Sequence, residues 1–242
     1  MTRVPGYPEK QGLYDPAYET DACGIGFVVN IRGRKSHKLV NQALEVLEHI
    51  EHRGACGCEV NTGDGAGMLL QIPHKFFTSV CDFDLPEPGA YGVAMLFLPP
   101  GASDRKACEE QFEKIVAEEG QKLLGWRDVP TDNAALGNTA KAGEPFQRQA
   151  FIGRGEVYGD DGLAFERKLY VICKRSENAI RYSGDFKNGV FFYPASVSSR
   201  TIVYKGMLTP DQVGSYFLDI ADERFESAIG LVHSRFSTNT FP

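Results

Sequence analysis

The sequence predicts an α+β protein in which helices cover layers of β-sheet. Several short runs are strand-like, because they either alternate between apolar and small residues or are apolar almost throughout. Few segments are long and have the apolar spacing of a helix. A chain of 242 residues is long enough to bury a sizeable core. Together these observations favour sheets packed against a small number of helices.

The first strand is predicted at residues 23–31. Its two faces differ in size, because successive side chains of a strand point to opposite sides. The larger face carries Ile25, Phe27, Val29 and Ile31, and the smaller face carries Gly24, Gly26 and Val28. The smaller face would allow another element to pack very close to the backbone.

The best helix in the sequence spans residues 36–53. Leu39, Val40, Ala43, Leu44, Val46, Leu47 and Ile50 recur at helical spacing, and Gly54 ends the pattern. Residues 68–72 and 92–98 are nearly continuous apolar runs, which is typical of strands that are buried on both faces.

A second helix is predicted at residues 103–119. Its apolar stripe consists of Ala107, Cys108, Phe112, Ile115 and Val116. Residues 128–145 are rich in Asn, Ala, Gly and Pro and have no clear periodicity. We therefore expect a loop or a mobile insertion there.

The last part of the chain predicts further strands and one more helix. The strands are expected at residues 149–153, 168–174, 199–205 and 229–236. The helix begins with Thr209 as N-cap, Pro210 as first helical residue and Gln212 two positions later, and extends to Ile220. Because the final strand is followed by no closing element, the chain is expected to be interrupted.

Composition excludes several classes of function. The net charge of −6 argues against a nucleic-acid or membrane-surface role, since either needs a basic face. The longest apolar runs are too short to span a bilayer, and the first 21 residues lack the apolar segment of a secretory signal. The six cysteines contain no Cys-x-x-Cys pair, which favours a reducing compartment and a cytoplasmic protein.

Three local patterns give only weak signals. Residues 61–67 are glycine-rich, but they lead into a strand rather than a helix, so we favour a tight turn over a phosphate-binding loop. Cys56 and Cys58 are too close for the usual zinc or iron–sulfur spacing. His49 and His52 lack a carboxylate partner at matching spacing, so we expect no metal site.

Cys23 allows two interpretations. A free cysteine on a strand is most often a small buried core residue. If the chain were cut after Ala22, however, Cys23 would carry a thiol and a free α-amine, and the amine, with a pKa of about 7.7–8.0, would act as a neighbouring base. Taken alone, the pattern favours the core residue. Arg235 likewise suits either a salt bridge or a bidentate carboxylate contact.

Five segments taken together resemble a known family. They are LYDP at 13–16, DACGIGFV at 21–28, LEHIEHRGA at 47–55, TGDGAG at 62–67 and HSRFSTNT at 233–240. In this order they resemble the amino-terminal amidotransferase domain of glutamate synthase large subunits, which are class II glutamine amidotransferases. The resemblance covers the whole chain and reverses the interpretation of Cys23.

The resemblance implies an N-terminal-nucleophile hydrolase fold, a four-layer αββα sandwich that is C-terminally incomplete here. It implies a pro-segment at residues 1–22, whose removal exposes Cys23, and an amidotransferase domain at residues 23–242. Cys23 would attack the side-chain amide of glutamine. Arg235 would bind the α-carboxylate, and Thr238 would line the same pocket. Gly24 and Gly26 would leave room beside the nucleophile.

The resemblance also implies partners and cofactors. L-glutamine would be the substrate, and ammonia would pass to 2-oxoglutarate in the remaining synthase domains of the same polypeptide, with a small reductase subunit as a further partner. No cofactor is expected in this chain. Flavin mononucleotide (FMN) and an iron–sulfur cluster are implied for the full-length family.

The sequence departs from the family pattern after residue 240. Family members continue with an Asn-Gly pair that stabilises the oxyanion and, further on, with an acidic residue that holds the substrate amine. Because the sequence lacks both there, we expect the isolated chain to be a poor glutaminase. Two alternatives stay open: another class II amidotransferase, or a truncated, non-catalytic partner-binding domain.

Overall fold

A computed structural model of the chain describes residues 10–12, 15, 24–54, 59–155 and 162–235. The strands in these ranges are β1 Gly24–Val29, β2 Ala66–Gln71, β3 Tyr91–Leu98, β4 Lys122–Asp128, β5 Phe146–Gly153, β6 Tyr193–Ser198, β7 Thr201–Gly206 and β8 Ile229–Ser234. The α-helices are α1 His37–His49, α2 His74–Val80, α3 Ala102–Glu118, α4 Asn138–Ala142, α5 Gly162–Ser176 and α6 Gln212–Tyr216. None of the helices in the described ranges is long and apolar enough to cross a membrane.

The strands form two antiparallel sheets. The first sheet has the order β1-β8-β2-β7, and the second has the order β4-β5-β3-β6. Helix α1 packs against β1 and β8 of the first sheet, whereas residues of α3 and α5 share a core with the second sheet. The predicted α+β arrangement, with helices covering layers of sheet, is therefore confirmed.

Strand β3 shows why the second sheet is buried on both faces. Val93 and Met95 belong to a core shared with α1 and the first sheet, whereas Ala94 and Leu96 belong to a second core with α3 and α5. Alternate residues of one strand thus contribute to two different cores. This explains why residues 92–98 are apolar almost throughout, as the sequence analysis expected.

Helix α1 follows the predicted pattern closely. The hydroxyl of Ser36 accepts a hydrogen bond from the backbone N–H of Leu39 at 3.3 Å and so caps the first turn. Leu39, Val40, Ala43 and Leu47 are buried. The helix ends at His49, and a 3-10 turn, Glu51–Arg53, continues the chain to Gly54.

The small face of β1 is the surface on which α1 packs. A Cβ added to Gly26 would lie 2.4 Å from Cγ1 of Val46. The expectation that Gly24 and Gly26 leave room beside a nucleophile is therefore wrong: the side chain of Val46 takes the space over Gly26, and that of Arg53 lies against Gly24. The large face of β1 is exposed, as the 68% exposure of Phe27 illustrates.

Two predictions in the second half of the chain were wrong in part. Residues 168–174 belong to helix α5 and not to a strand, because Phe165, Leu169 and Ile172 are buried on one helical face against the second sheet. The helix expected to reach Ile220 ends at Tyr216, as α6, and a 3-10 turn, Leu218–Ala221, follows it.

The second predicted helix is confirmed as α3. Ala107 is exposed, whereas the rest of its predicted apolar stripe is buried.

Residues 128–145 form a loop, as expected, with one short helix inside it. They contain α4, and the N–H of Thr139 in its first turn donates to the carboxylate of Glu59 at 3.0 Å. The N–H of Gly137 donates to the carbonyl oxygen of Asn61 at 2.9 Å. The segment therefore contacts the glycine-rich loop and the residues just before it, although residues 128–145 have no periodic pattern.

Candidate functional site

The pairing of β1 with β8 brings distant parts of the sequence together. Gly24 lies opposite Ser234, and Val29 lies opposite Ile229. The start of β1 and the end of β8 therefore lie at the same edge of the first sheet. In the sequence Gly24 follows Cys23 and Ser234 precedes Arg235, so the two predicted site segments meet at this edge.

The glycine-rich loop lies beside Arg235. The backbone N–H of Arg235 donates to the carbonyl oxygen of Gly65 at 2.6 Å. A Cβ added to Gly63 would lie 2.2 Å from the carbonyl oxygen of Leu208, so this glycine lets the loop pack against the chain itself. The loop is thus a tightly packed turn, as the sequence analysis favoured over a phosphate site.

The turn after α1 forms another wall of this edge. A Cβ added to Gly24 would lie 2.9 Å from Cβ of Arg53, and one added to Gly54 would lie 2.8 Å from Oγ of Ser234. Arg53 therefore lies against the first residue of β1, next to the predicted site.

A cavity of about 310 Å³ opens beside Arg235. Its lining includes Lys205, His233 and Arg235, together with backbone from Gly65 to Leu69. Burial and the nearby charge of Lys205 lower the pKa of His233, which favours its neutral form. The two remaining cations favour an anionic group in the cavity, and a carboxylate fits the bidentate geometry of arginine.

Sequence reasoning did not identify Lys205 as part of this site. Lys205 lies opposite Gly67 in the pairing of β2 with β7, and Gly67 in turn lies opposite His233. The three residues therefore form one row across the sheet. A single sequence does not show strand register, so no local signal was available for Lys205.

The backbone of Arg235 is strained. Its φ is +84°, in the left-handed region that residues other than glycine seldom adopt. Such strain costs on the order of 1–3 kcal/mol and persists where the surroundings hold it, often at functional sites. Here the hydrogen bond to Gly65 and the pairing of the preceding Ser234 with Gly24 hold it.

The predicted site residues differ in what the structure says of them. Arg235 lines the cavity, as described above. Cys23 and Thr238 lie outside the described residues, and so do Cys56 and Cys58. The roles of Cys23, Arg235 and Thr238 therefore remain predictions.

The described part of the chain offers no ligand set for a metal centre. No group of three or more His, Cys, Asp or Glu side chains is placed to hold a metal ion within the described ranges. The cysteines described there are Cys81, Cys108 and Cys173, none of them in a disulfide. An iron–sulfur cluster, which takes several cysteine ligands, does not fit this part of the chain.

Comparisons with known proteins place this geometry in context. The family model of class-II glutamine amidotransferases matches residues 23–242. Glutamate synthase [NADPH] large chain of Bacillus subtilis is 49% identical over 97% of the chain, which covers 15% of that relative. Glutamate synthase [NADH] of Saccharomyces cerevisiae is 42% identical over 97% of the chain, which covers 11% of it.

A plant glutamate synthase is also similar to the chain. Ferredoxin-dependent glutamate synthase 2, chloroplastic, of Arabidopsis thaliana is 37% identical over 97% of the chain, which covers 14% of that relative. The chain thus spans about a seventh or less of the length of these proteins. Their names specify NADPH, NADH and ferredoxin, although all three match the same stretch of sequence.

Proposed function

The chain belongs to the class-II glutamine amidotransferases, and we propose that it releases ammonia from L-glutamine as the amidotransferase part of a glutamate synthase. The observation that carries this proposal is the pairing of Gly24 with Ser234, because it sets the backbone next to Cys23 beside the backbone next to Arg235. A nucleophile and a carboxylate-binding arginine are then available to one small substrate.

Cys23 is the proposed nucleophile, exposed by cleavage after Ala22, which makes residues 1–22 a pro-segment. Its α-amine takes the thiol proton, and the thiolate attacks the side-chain carbonyl carbon of glutamine. The tetrahedral intermediate collapses with transfer of a proton to the departing nitrogen, so that ammonia leaves and a γ-glutamyl thioester remains. Water then attacks the thioester, releasing glutamate and restoring the thiol. Carbon, nitrogen and sulfur keep their oxidation states, so the reaction needs no redox cofactor.

Arg235 is the proposed anchor for the α-carboxylate of glutamine. It lines the cavity at the edge of the sheet, and Lys205 adds positive charge to the same cavity. Thr238 is proposed to line the pocket with a hydroxyl group. Because the lowered pKa of His233 favours its neutral form, the cavity carries no third positive charge that would repel the substrate ammonium.

The wider reaction is proposed from the named relatives. In a glutamate synthase polypeptide, the ammonia would pass to the synthase domains and aminate 2-oxoglutarate to glutamate. FMN and an iron–sulfur cluster would belong to those domains, and a small reductase subunit would be a further partner. We propose a cytoplasmic location for such an enzyme.

The test is covalent labelling by a glutamine analogue with an electrophilic side chain, followed by intact mass and peptide mapping. The proposal expects one adduct, on Cys23, in chains that begin at Cys23. The Cys23→Ala variant should take up no label, and the matched Cys173→Ala variant should be labelled like the parent. Equal labelling of the other cysteines, or full labelling of chains that retain residues 1–22, would contradict the proposal.

A further inference from the structure

A mainly apolar cavity adjoins the one beside Arg235, and Lys205 and Gly206 line both. The volume of the apolar cavity is about 370 Å³, which falls within the roughly 300–1,000 Å³ of small-molecule sites. Apolar residues form most of the wall, among them Phe97, Leu136, Val190 and Met207. Such a lining suits the apolar body of a small ligand.

Lys205 and Arg181 line this cavity, and each donates to neutral acceptors. Lys205 donates to the hydroxyl of Tyr193 at 2.7 Å, and its ammonium lies 4.4 Å from the ring centroid. Arg181 donates to the carbonyl oxygens of Val190 and Phe192, and its guanidinium lies 6.0 Å from the same ring. Two positive charges therefore flank one aromatic ring, an arrangement that an anionic group would stabilise.

Glu144 also lines the cavity, and the two side chains that donate to its carboxylate are neutral. Glu144 accepts from the hydroxyl of Tyr216 at 2.6 Å and from the amide of Asn133 at 2.7 Å. Burial and the neighbouring Glu144 raise the pKa of Tyr216, so its hydroxyl remains a donor. A carboxylate has about four acceptor positions, which leaves capacity for a positively charged donor.

Gln147 carries a buried acceptor that has no partner among the described residues. Its Nε2 donates to the hydroxyl of Tyr216 at 3.0 Å, whereas its buried Oε1 has no hydrogen-bond partner within the described ranges. Gln147 also lines the cavity and is only 5% exposed. This Oε1 is itself shielded from the cavity, so a ligand does not reach it; Gln147 instead holds the hydroxyl of Tyr216, which donates to Glu144.

From these features we infer that the cavity binds a small zwitterionic ligand with an apolar body, the class to which the apolar α-amino acids belong. The carboxylate of the ligand faces Arg181 and Lys205, the ammonium faces Glu144, and the side chain packs on the apolar wall. This inference does not rest on the proposed glutaminase activity, because Arg235 does not line the site; Lys205 lines both cavities.

The test is isothermal titration of the full chain with L-phenylalanine and two analogues that each lack one charged group. 3-Phenylpropionate lacks the ammonium, and 2-phenylethylamine lacks the carboxylate. We expect L-phenylalanine to bind, and each analogue to bind about 10- to 100-fold more weakly, as expected for loss of a charge-assisted hydrogen bond. Absence of L-phenylalanine binding, or equal affinity for all three compounds, would overturn the inference.

Two variants assign the contacts. Arg181→Gln should weaken L-phenylalanine binding about 10-fold or more but leave 2-phenylethylamine binding unchanged, and Glu144→Gln should have the converse selectivity for 3-phenylpropionate. Arg200→Gln, at an exposed arginine outside the cavity lining, is the matched control. Prior alkylation of Cys23 should leave binding intact; if it abolishes binding, the amino acid occupies the glutamine site and the inference fails.

Discussion

The backbone N–H of Arg235 donates to the carbonyl oxygen of Gly65 at 2.6 Å, so the glycine-rich loop holds the residue proposed to bind the substrate carboxylate. Arg235 has φ +84° and Gly65 has φ +124°, and both values lie where a side chain is disfavoured. The strained backbone of Arg235 is therefore joined by one hydrogen bond to a backbone conformation that suits glycine. This relationship predicts that the loop affects substrate binding through the position of Arg235.

Gly65→Ala should move the loop carbonyl and weaken the hold on Arg235. We expect loss of about 1–3 kcal/mol of stability and slower labelling of Cys23 by the electrophilic glutamine analogue. The measurement is the labelling rate at several analogue concentrations, alongside urea unfolding. Gly162→Ala is the control, because a Cβ there meets nothing within 4 Å and its φ lies outside the left-handed region. An unchanged labelling rate in folded Gly65→Ala would contradict the linkage.

Gly26→Ala tests the close packing of α1 on β1. The added Cβ would lie 2.4 Å from Cγ1 of Val46, so the helix or the strand must shift. Overpacking of this kind costs typically 1–3 kcal/mol. The midpoint of urea unfolding should fall, and Val46→Ala in the same chain should recover part of the loss. No recovery in the double variant would show that the contact with Val46 is not the cause.

The buried pair of Arg127 and Asp219 should matter far more to stability than exposed pairs do. The guanidinium donates to both carboxylate oxygens at 2.7 and 2.8 Å, and the hydroxyl of Tyr204 donates to the same carboxylate at 2.9 Å. Asp219→Asn would leave a buried charge uncompensated, at a cost of about 3–5 kcal/mol. Asp222→Asn, at the exposed Asp222–Arg224 pair, should change the unfolding free energy little. Equal losses in the two variants would contradict this account.

We expect deprotonation of Cys108 to lower the free energy of unfolding at alkaline pH. Burial raises the pKa of its thiol from 9.0 to about 11. Between these values the unfolded chain has released the proton while the folded chain still holds it, so the contribution is complete below pH 9 and is lost as pH rises toward 11. The unfolding free energy of Cys108→Ala should therefore depend less on pH across this window. Parallel curves for both proteins would contradict the assignment.

The parts of the fold that the sequence predicts are those with a strong local pattern. Helix α1 carries its own N-cap and buried stripe, and β3 is apolar throughout because it serves two cores. Helix α5 was mistaken for a strand over residues 168–174, since its buried residues are few and only the second sheet shows which face they occupy. The sequence shows no pattern that predicts β6 or α2, because such short segments owe their structure to tertiary contacts.

The sequence indicates which residues are candidates for the site, but it does not show how they are arranged in space. Cys23 and Arg235 were found through motif resemblance, whereas Lys205 joins the site only through the register Gly67 to Lys205. For Gly26 the expectation of close packing is confirmed, and the expectation of room beside a nucleophile is wrong, because sequence alone does not tell a glycine that makes room for a ligand from one that makes room for a helix. That distinction depends on Val46, which lies above Gly26 in the fold.

The most direct test of the central claim compares labelling of Cys23 in the parent and in Arg235→Gln by two reagents. One is the electrophilic glutamine analogue, which carries an α-carboxylate, and the other is iodoacetamide, which does not. The account predicts that Arg235→Gln slows labelling by the analogue about 10- to 100-fold and leaves the iodoacetamide rate within about twofold of the parent. Equal rates with the analogue in the two proteins would contradict the claim that Arg235 binds the substrate carboxylate beside Cys23.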